Sequence, residues 1–276
     1  MITARTRVAA VIGSPVLHSL SPALHNAGFA ATGVDWVYAA FEVAEGGAAA
    51  ALDAMRVLGL GGLSVTMPHK AAVAALVDEL DPAAAALRSV NTVVPIGDGR
   101  LKGYSTDGAG FVASLTADGV DVAGRHVCVL GAGGAARAII DALGRAGAAR
   151  ISIVNRNVER GQAAAELGGP AAAVAGSTAI AESDILVNAT SVGMGSVDLP
   201  CDPALLHADQ TVADIVYHPR RTALLAAAEY VGARTVEGLG MLVHQAVLQQ
   251  QLWAGATPDP AVMRAAAERE LASTGQ

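Results

Sequence analysis

A short apolar strand that runs into a glycine turn and then a helix constrains this chain more than any other stretch of it. His126 to Leu130 reads HVCVL and enters Gly131-Ala132-Gly133-Gly134-Ala135-Ala136, which fits G-x-G-x-x-A and should open a helix ending near Gly147. Small residues are required there for physical reasons. Gly131 permits the tight turn, Gly133 lets the backbone approach a pyrophosphate, and Ala136 lets the helix pack against the sheet while its free N–H groups face the anion. A glycine pattern of this kind is weak evidence on its own, so the next strand decides its weight.

That strand is predicted over residues 151–155. In NAD-binding units an Asp or Glu stands near its end, about 20 residues past the turn, and accepts hydrogen bonds from ribose hydroxyls. Here the place holds Asn155, followed by Arg156, Asn157 and Arg160. A carboxylate would repel a 2′-phosphate, whereas two guanidinium groups pair with it through charge-assisted hydrogen bonds of about 1.5 to 3 kcal/mol each. The expected cofactor is therefore NADP(H), with Ala132, Gly134 and Ala135 completing the turn.

A chain of 276 residues is long enough for two domains with cores of their own, and a dinucleotide unit beginning near residue 125 leaves room for another upstream. Hydrophobic residues make up 53% but aromatics only 3%, so the apolar content is Ala, Val and Leu, as where helices pack closely on a parallel sheet. The predicted class is α/β: a mainly parallel-sheet domain and a doubly wound Rossmann domain. A net charge of −7, with no basic face among 18 Lys and Arg, argues against nucleic acid as a partner. No apolar run approaches a membrane span and VAAVI is too short for a signal core, so no membrane partner and a cytoplasmic location are expected. Cys128 and Cys201 suggest no disulfide framework, and the histidines form no H-E-x-x-H cluster, so no metal is assigned. A homodimer is compatible with the chain, which carries no signal for subunit number.

Strands are expected over residues 7–13, 37–43 and 62–66, alternating with helices at 21–33 and 45–58. Ser21-Pro22 reads as a hydroxyl N-cap with proline at the first position, and Gly33 as the stop. Short helices should follow Pro68 and Pro82, then a hairpin of residues 90–95 and 101–105, then a helix over 108–118. Strands at 171–174, 184–188, 211–215 and 234–236, alternating with helices, should complete the Rossmann sheet. Two helices, 239–253 and 259–273, end the chain.

A hydride transferase needs a substrate beside the nicotinamide and a group that moves the hydroxyl proton. Candidates gather upstream, in Ser64-Val65-Thr66-Met67-Pro68-His69-Lys70, at Asn91-Thr92 and at Ser105-Thr106-Asp107, all beside strand ends, where ligands of open α/β sheets bind. With Gly13-Ser14-Pro15, His18-Ser19-Leu20-Ser21-Pro22, NATSVGM, DIVYHP and GLGMLVHQA, these motifs resemble the shikimate dehydrogenase family in order over nearly the whole chain. The resemblance implies NADPH-dependent reduction of 3-dehydroshikimate to shikimate, on the route to chorismate and aromatic amino acids. It implies a substrate domain of residues 1–107 with 239–276 and a dinucleotide domain of 108–238. Lys70 and Asp107 would be the acid–base pair. Ser19, Ser21, Thr66, Asn91, Gln245 and, from the second domain, Tyr217 would hold the substrate. Asn188, Thr190, Gly238 and Met241 would border the dinucleotide.

Two positions depart from the family pattern: Ser64 and Ser105 stand where Asn is usual. Serine keeps a donor and an acceptor but reaches less far, so a direct contact could become water-mediated or vanish. That leaves open a quinate/shikimate dehydrogenase with relaxed substrate or cofactor use. A catalytically silent metabolite sensor is the alternative of another class.

Overall fold

Apolar residues occupy both faces of β1 (Arg7–Gly13), which turns Ala9 and Val11 one way and Ala10 and Ile12 the other, all four buried. Ala10 and Ile12 pack with Leu52 and Met55 of α2 (Ala48–Leu58) and with Leu63 and Val65 of β3 (Gly62–Val65). Ala9 and Val11 pack with Phe29 of α1 (Ser21–Thr32), Tyr38 of β2 (Trp36–Glu42) and Trp253. A strand buried on both faces needs covering layers on each side, as parallel sheets do. The structure, a computed structural model describing residues 1–274, divides into two units, Met1–Thr106 with Val243–Gln276, and Asp107–Leu242.

The first unit continues through α3 (Lys70–Leu76), β4 (Glu79–Leu80), α4 (Pro82–Leu87), β5 (Thr92–Pro95) and β6 (Leu101–Tyr104). Its sheet runs β2-β1-β3-β5-β6-β4. β1 is parallel to β2 and β3, and β4 to β6, while β5 is antiparallel to both neighbours. The β5–β6 hairpin turns through Gly97, Asp98 and Gly99, all at positive φ. Trp253 fastens the C-terminal segment to this sheet. Its indole N–H donates to the Val93 carbonyl at 3.0 Å, and its ring lies so close to Gly62 that a Cβ there would stand 2.4 Å from it.

Ser21 is not the cap of α1. That position belongs to Leu20, which makes no side-chain cap bond, and Ser21 is the first helical residue. The Ser19 hydroxyl instead accepts the Ser21 N–H at 3.2 Å, which satisfies one of the orphan donors of the first turn. Gly33 ends the helix in the left-handed conformation, φ 70°, as its position predicts.

The second unit opens with α5 (Asp107–Ala117) and follows with β7 (His126–Leu130), α6 (Gly134–Arg145), β8 (Arg150–Val154), α7 (Val158–Ala165), β9 (Ala172–Val174), β10 (Ile185–Asn188), β11 (Thr211–Asp214), α8 (Ala223–Tyr230) and β12 (Arg234–Glu237). Its sheet is wholly parallel in the order β12-β11-β10-β7-β8-β9. Strand order therefore reverses beside β7, which is the switch point of a doubly wound dinucleotide fold. Two expected helices are missing among the described residues: the β9–β10 and β10–β11 crossovers carry only 3-10 turns, Ser177–Ile180 and Pro203–Leu205. Gly193, Gly195, Pro200 and Pro203 explain the second, since neither residue type sustains a helix interior. Gly108 lets α5 lie on α6, because a Cβ there would meet the Ala138 carbonyl oxygen at 2.1 Å. The last two helices are α9 (Leu239–Ala254), within which the unit boundary falls, and α10 (Pro260–Thr274), which packs on α1.

Candidate active site

The first unit gathers its candidates at one end of its sheet, and backbone hydrogen bonds hold them there. The Val65 N–H donates to the Asn91 carbonyl at 2.8 Å and the Asn91 N–H to the Tyr104 carbonyl at 3.0 Å, so the ends of β3, β5 and β6 are aligned. Thr66 follows β3, and its N–H reaches the Ile12 carbonyl of β1 at 3.0 Å. Lys70, half-buried, is the first residue of α3, and its carbonyl accepts the N–H of Val90, one residue before Asn91. His69 anchors this corner. It is 1% exposed and its Nε2 lies 2.7 Å from the Val43 carbonyl, which can only accept, so the proton sits on Nε2.

Asn91 is buried and its amide orientation is determined. Its Oδ1 accepts the Thr106 N–H at 2.9 Å and the Thr92 hydroxyl at 2.8 Å, and its Nδ2 donates to the Thr106 hydroxyl at 2.9 Å. Thr106 immediately precedes Asp107, the half-buried first residue of α5. Ser19 is half-buried and Ser21 buried, while Gln245 is buried on α9. Ser64 faces inward: its hydroxyl accepts from Tyr38 at 2.6 Å and donates to Gln249 Oε1 at 2.8 Å. The shortened side chain is thus taken up by protein partners.

Sequence reasoning pointed to Thr92 and Thr106 but missed that His25, Tyr38 and Gln249 join them in one buried polar cluster. The available signal was a run of glutamines, 249 to 251, on an otherwise apolar helix. Burial pushes the Tyr38 phenol up, partly offset by the neighbouring Ser64 and Ser21 hydroxyls. Burial pushes His25 down to about 3, against a weaker opposing hydrogen bond to Gln249. His25 therefore stays neutral when the unfolded chain's imidazole, near 6.5, takes up a proton. Its stabilising effect is complete above that pH and declines by about 1.4 kcal/mol per unit as pH falls toward its folded value. His25→Gln abolishes this component: urea unfolding should show the variant less stable at pH 7, with the gap narrowing by about 2 kcal/mol at pH 5. A gap independent of pH would mean that His25 is not a buried neutral imidazole.

On the second unit, Gly131 follows β7 at φ 109°, and a Cβ there would lie 3.0 Å from Thr190 Cγ2 and 3.1 Å from the Ala189 carbonyl oxygen. Gly133 is the N-cap of α6 and Gly134 its first residue; a Cβ on either would stand in open space. With half-buried Ala132 and Ala135 beside them and Ala136 fully buried, the turn has the vacant, donor-lined approach that a pyrophosphate needs. Beyond β8, Arg156 and Arg160 are exposed, and neither guanidinium is in an ion pair among the described residues. These residues fit a 2′-phosphorylated dinucleotide. Asn157 has a local task, since its side chain accepts the Arg160 N–H at 2.8 Å and caps α7, while Asn155 donates to the Asn157 carbonyl at 2.7 Å.

Other expected dinucleotide contacts have structural duties. The fully buried Asn188 donates to Asp214 at 2.9 Å and to the Val192 carbonyl at 3.1 Å, and its Oδ1 accepts both the N–H and the hydroxyl of Thr190. Its side chain is satisfied within the protein, so it shapes the Thr190 turn. Burial raises the Asp214 carboxyl despite hydrogen bonds from the Val216 N–H, Thr222 and Asn188. Gly238 is required by close approach, a Cβ there falling 2.4 Å from the Ile215 carbonyl oxygen. Met241 packs against the unit's main core. Tyr217, half-buried in the loop after β11, has its phenol raised by burial and so stays a neutral donor.

Comparison with known proteins identifies the family. Residues 11–93 match the family model of the shikimate dehydrogenase substrate binding domain, residues 113–194 that of shikimate / quinate 5-dehydrogenase, and residues 238–268 that of the shikimate 5'-dehydrogenase C-terminal domain. A shikimate dehydrogenase (NADP(+)) of Geobacter metallireducens is 44% identical, over 95% of this chain and 96% of its own. One of Symbiobacterium thermophilum is 45% identical, over 95% and 93%. The solved structure of shikimate 5-dehydrogenase from Thermus thermophilus in complex with NADP(H) and shikimate superposes with a TM-score of 0.91 at 36% identity, covering 96% of this chain and all of that one. The chain belongs to the shikimate dehydrogenase family.

Proposed function

We propose that this protein is an NADP-dependent shikimate dehydrogenase that reversibly reduces 3-dehydroshikimate to shikimate in the cytoplasm, on the route to chorismate and aromatic amino acids. One observation carries the reading: the neutral groups of Thr66 and Asn91 and the ammonium of Lys70 stand at the same end of one sheet, on segments tied together by backbone hydrogen bonds. That combination suits a small polyhydroxylated anion whose reacting oxygen must be protonated. The relatives' names supply the substrate and coenzyme that match it.

In this reading NADPH supplies the hydride, its phosphates received by the Gly131–Ala135 turn and its 2′-phosphate by Arg156 and Arg160. Lys70 donates a proton to the ketone oxygen as the carbon is reduced, and Asp107 orients the ammonium. In the oxidative direction Lys70 takes that proton back. Ser19, Ser21 and Tyr217 bind the carboxylate with neutral donors, and Thr66, Asn91 and Gln245 bind ring hydroxyls. The test is direct: purified protein should consume NADPH with 3-dehydroshikimate at a rate of about 1 to 10³ per second, the ordinary enzymatic range. Binding of shikimate without NADPH consumption would replace this reading by that of a metabolite sensor.

A further inference from the structure

Asp214 ends β11 opposite Asn188, the last residue of β10, and Asn188 in turn stands opposite Leu130, the residue before Gly131. The Asp214 side chain is 1% exposed, and groups from three segments donate to it. Asn188 Nδ2 and the Val216 N–H reach Oδ1 at 2.9 and 3.0 Å. The hydroxyl of Thr222, the N-cap of α8, reaches Oδ2 at 2.7 Å. Neither nitrogen can accept, so Oδ1 is an acceptor in both bonds.

Asn188 passes this constraint on. Its other partners, the Val192 carbonyl and Thr190, lie in the turn that follows β10, so the amide closes that turn from within while Asp214 holds the amide from the neighbouring strand. The Thr190 hydroxyl is engaged twice, donating to Asn188 Oδ1 at 2.7 Å and accepting the Val192 N–H at 3.1 Å. With the hydroxyl so held, the methyl of Thr190 is the group that faces Gly131, at the 3.0 Å separation from its missing Cβ. A side chain on β11 thereby sets the surface on which the glycine turn rests.

We infer that Asp214 is a positioning residue for the dinucleotide, holding the Thr190 methyl against the glycine turn through Asn188 so that the N–H groups of the turn keep their aim at the phosphates. It acts through two side chains and not by contact with the coenzyme. The inference rests on the proposed reception of the coenzyme phosphates by the Gly131–Ala135 turn.

Asp214→Ala removes the acceptor that fixes Asn188. In the purified full-length protein it should raise KM for NADP+ about tenfold, with kcat within about threefold of wild type. Asp214→Asn should bring KM back to within about twofold, because its amide oxygen can take both Asn188 and the Val216 N–H while its nitrogen faces the Thr222 hydroxyl. A purely structural role would lower yield and melting temperature and leave KM where it was. Thr190→Val preserves shape and breaks the same link from the other end. It should raise KM for NADP+ alike, and the double variant with Asp214→Ala should be no worse than the worse single change. A folded Asp214→Ala protein with unaltered KM for NADP+ overturns the inference; if that variant fails to fold, unaltered KM in Thr190→Val does so. Gly133→Val, whose side chain would enter the open approach to the turn, separates two failures. Unaltered KM for NADP+ there overturns the placing of the phosphates and this inference with it, whereas raised KM there beside unaltered KM in Asp214→Ala overturns the inference alone.

Discussion

Lys70→Ala is expected to lower kcat by about 10² to 10⁴-fold, the range that a positioned acid–base group contributes. The variant should fold. Lys70 is tied to Val90 through its backbone carbonyl, which alanine retains, and alanine is the best helix former at the start of α3. Because the proton moves only as the carbon is reduced, kcat and kcat/KM should fall together while the dissociation constant for shikimate shifts by less than about tenfold. Asp107→Asn should lie in the same direction with a smaller effect, since the amide oxygen can still accept from the ammonium but a neutral acceptor holds it less firmly than a carboxylate. Steady-state kinetics in both directions, with shikimate binding followed separately, checks this. Wild-type kcat in Lys70→Ala would remove the lysine from the mechanism, whatever its place at the sheet end.

The double variant Arg156→Ala/Arg160→Ala is expected to weaken NADP+ about 10²-fold and leave NAD+ nearly unchanged. Charge-assisted bonds to a phosphate are worth about 1.5 to 3 kcal/mol each. Both arginines are exposed, so solvent screening places each near the lower end of that range. Neither guanidinium is in an ion pair among the described residues, so neither must break one to meet the ligand. Single variants should each give roughly tenfold, and the wild-type preference should shrink as salt is added. NADP+ affinity within about threefold of wild type in the double variant would place the 2′-phosphate elsewhere. Replacing Asn157 would test something different, since that side chain caps α7 and its loss would act on helix stability.

Hydrogen-bond partners were the least legible part of the chain. Ser21 looked like a cap because hydroxyl-proline pairs start helices, yet the chain enters the helix one residue earlier and the Ser19 hydroxyl meets the exposed N–H. Asn157, in the cofactor stretch, also caps α7, and Asn188, in a glycine-bearing motif, also holds its own turn. Residue type shows that a side chain can make a hydrogen bond; it does not show with which partner. The absent helix of the β10–β11 crossover had a legible cause, the glycines and prolines at 193, 195, 200 and 203, whose meaning was outweighed by the expectation of strict alternation.

The sequence alone determined what depends on neighbours in the chain: the Gly131 turn, the arginines where a carboxylate would exclude a 2′-phosphate, the strands buried on both faces, and the ordered motifs that mark the family. These are set by backbone conformation and side-chain charge within a few residues. Only the tertiary structure decided strand order and the partners of the buried polar groups. Ser64 meets Gln249 across 185 positions of sequence and His25 meets it across 224. A buried donor must find an acceptor somewhere, but which one it finds depends on how distant segments pack, and no local pattern encodes that distance.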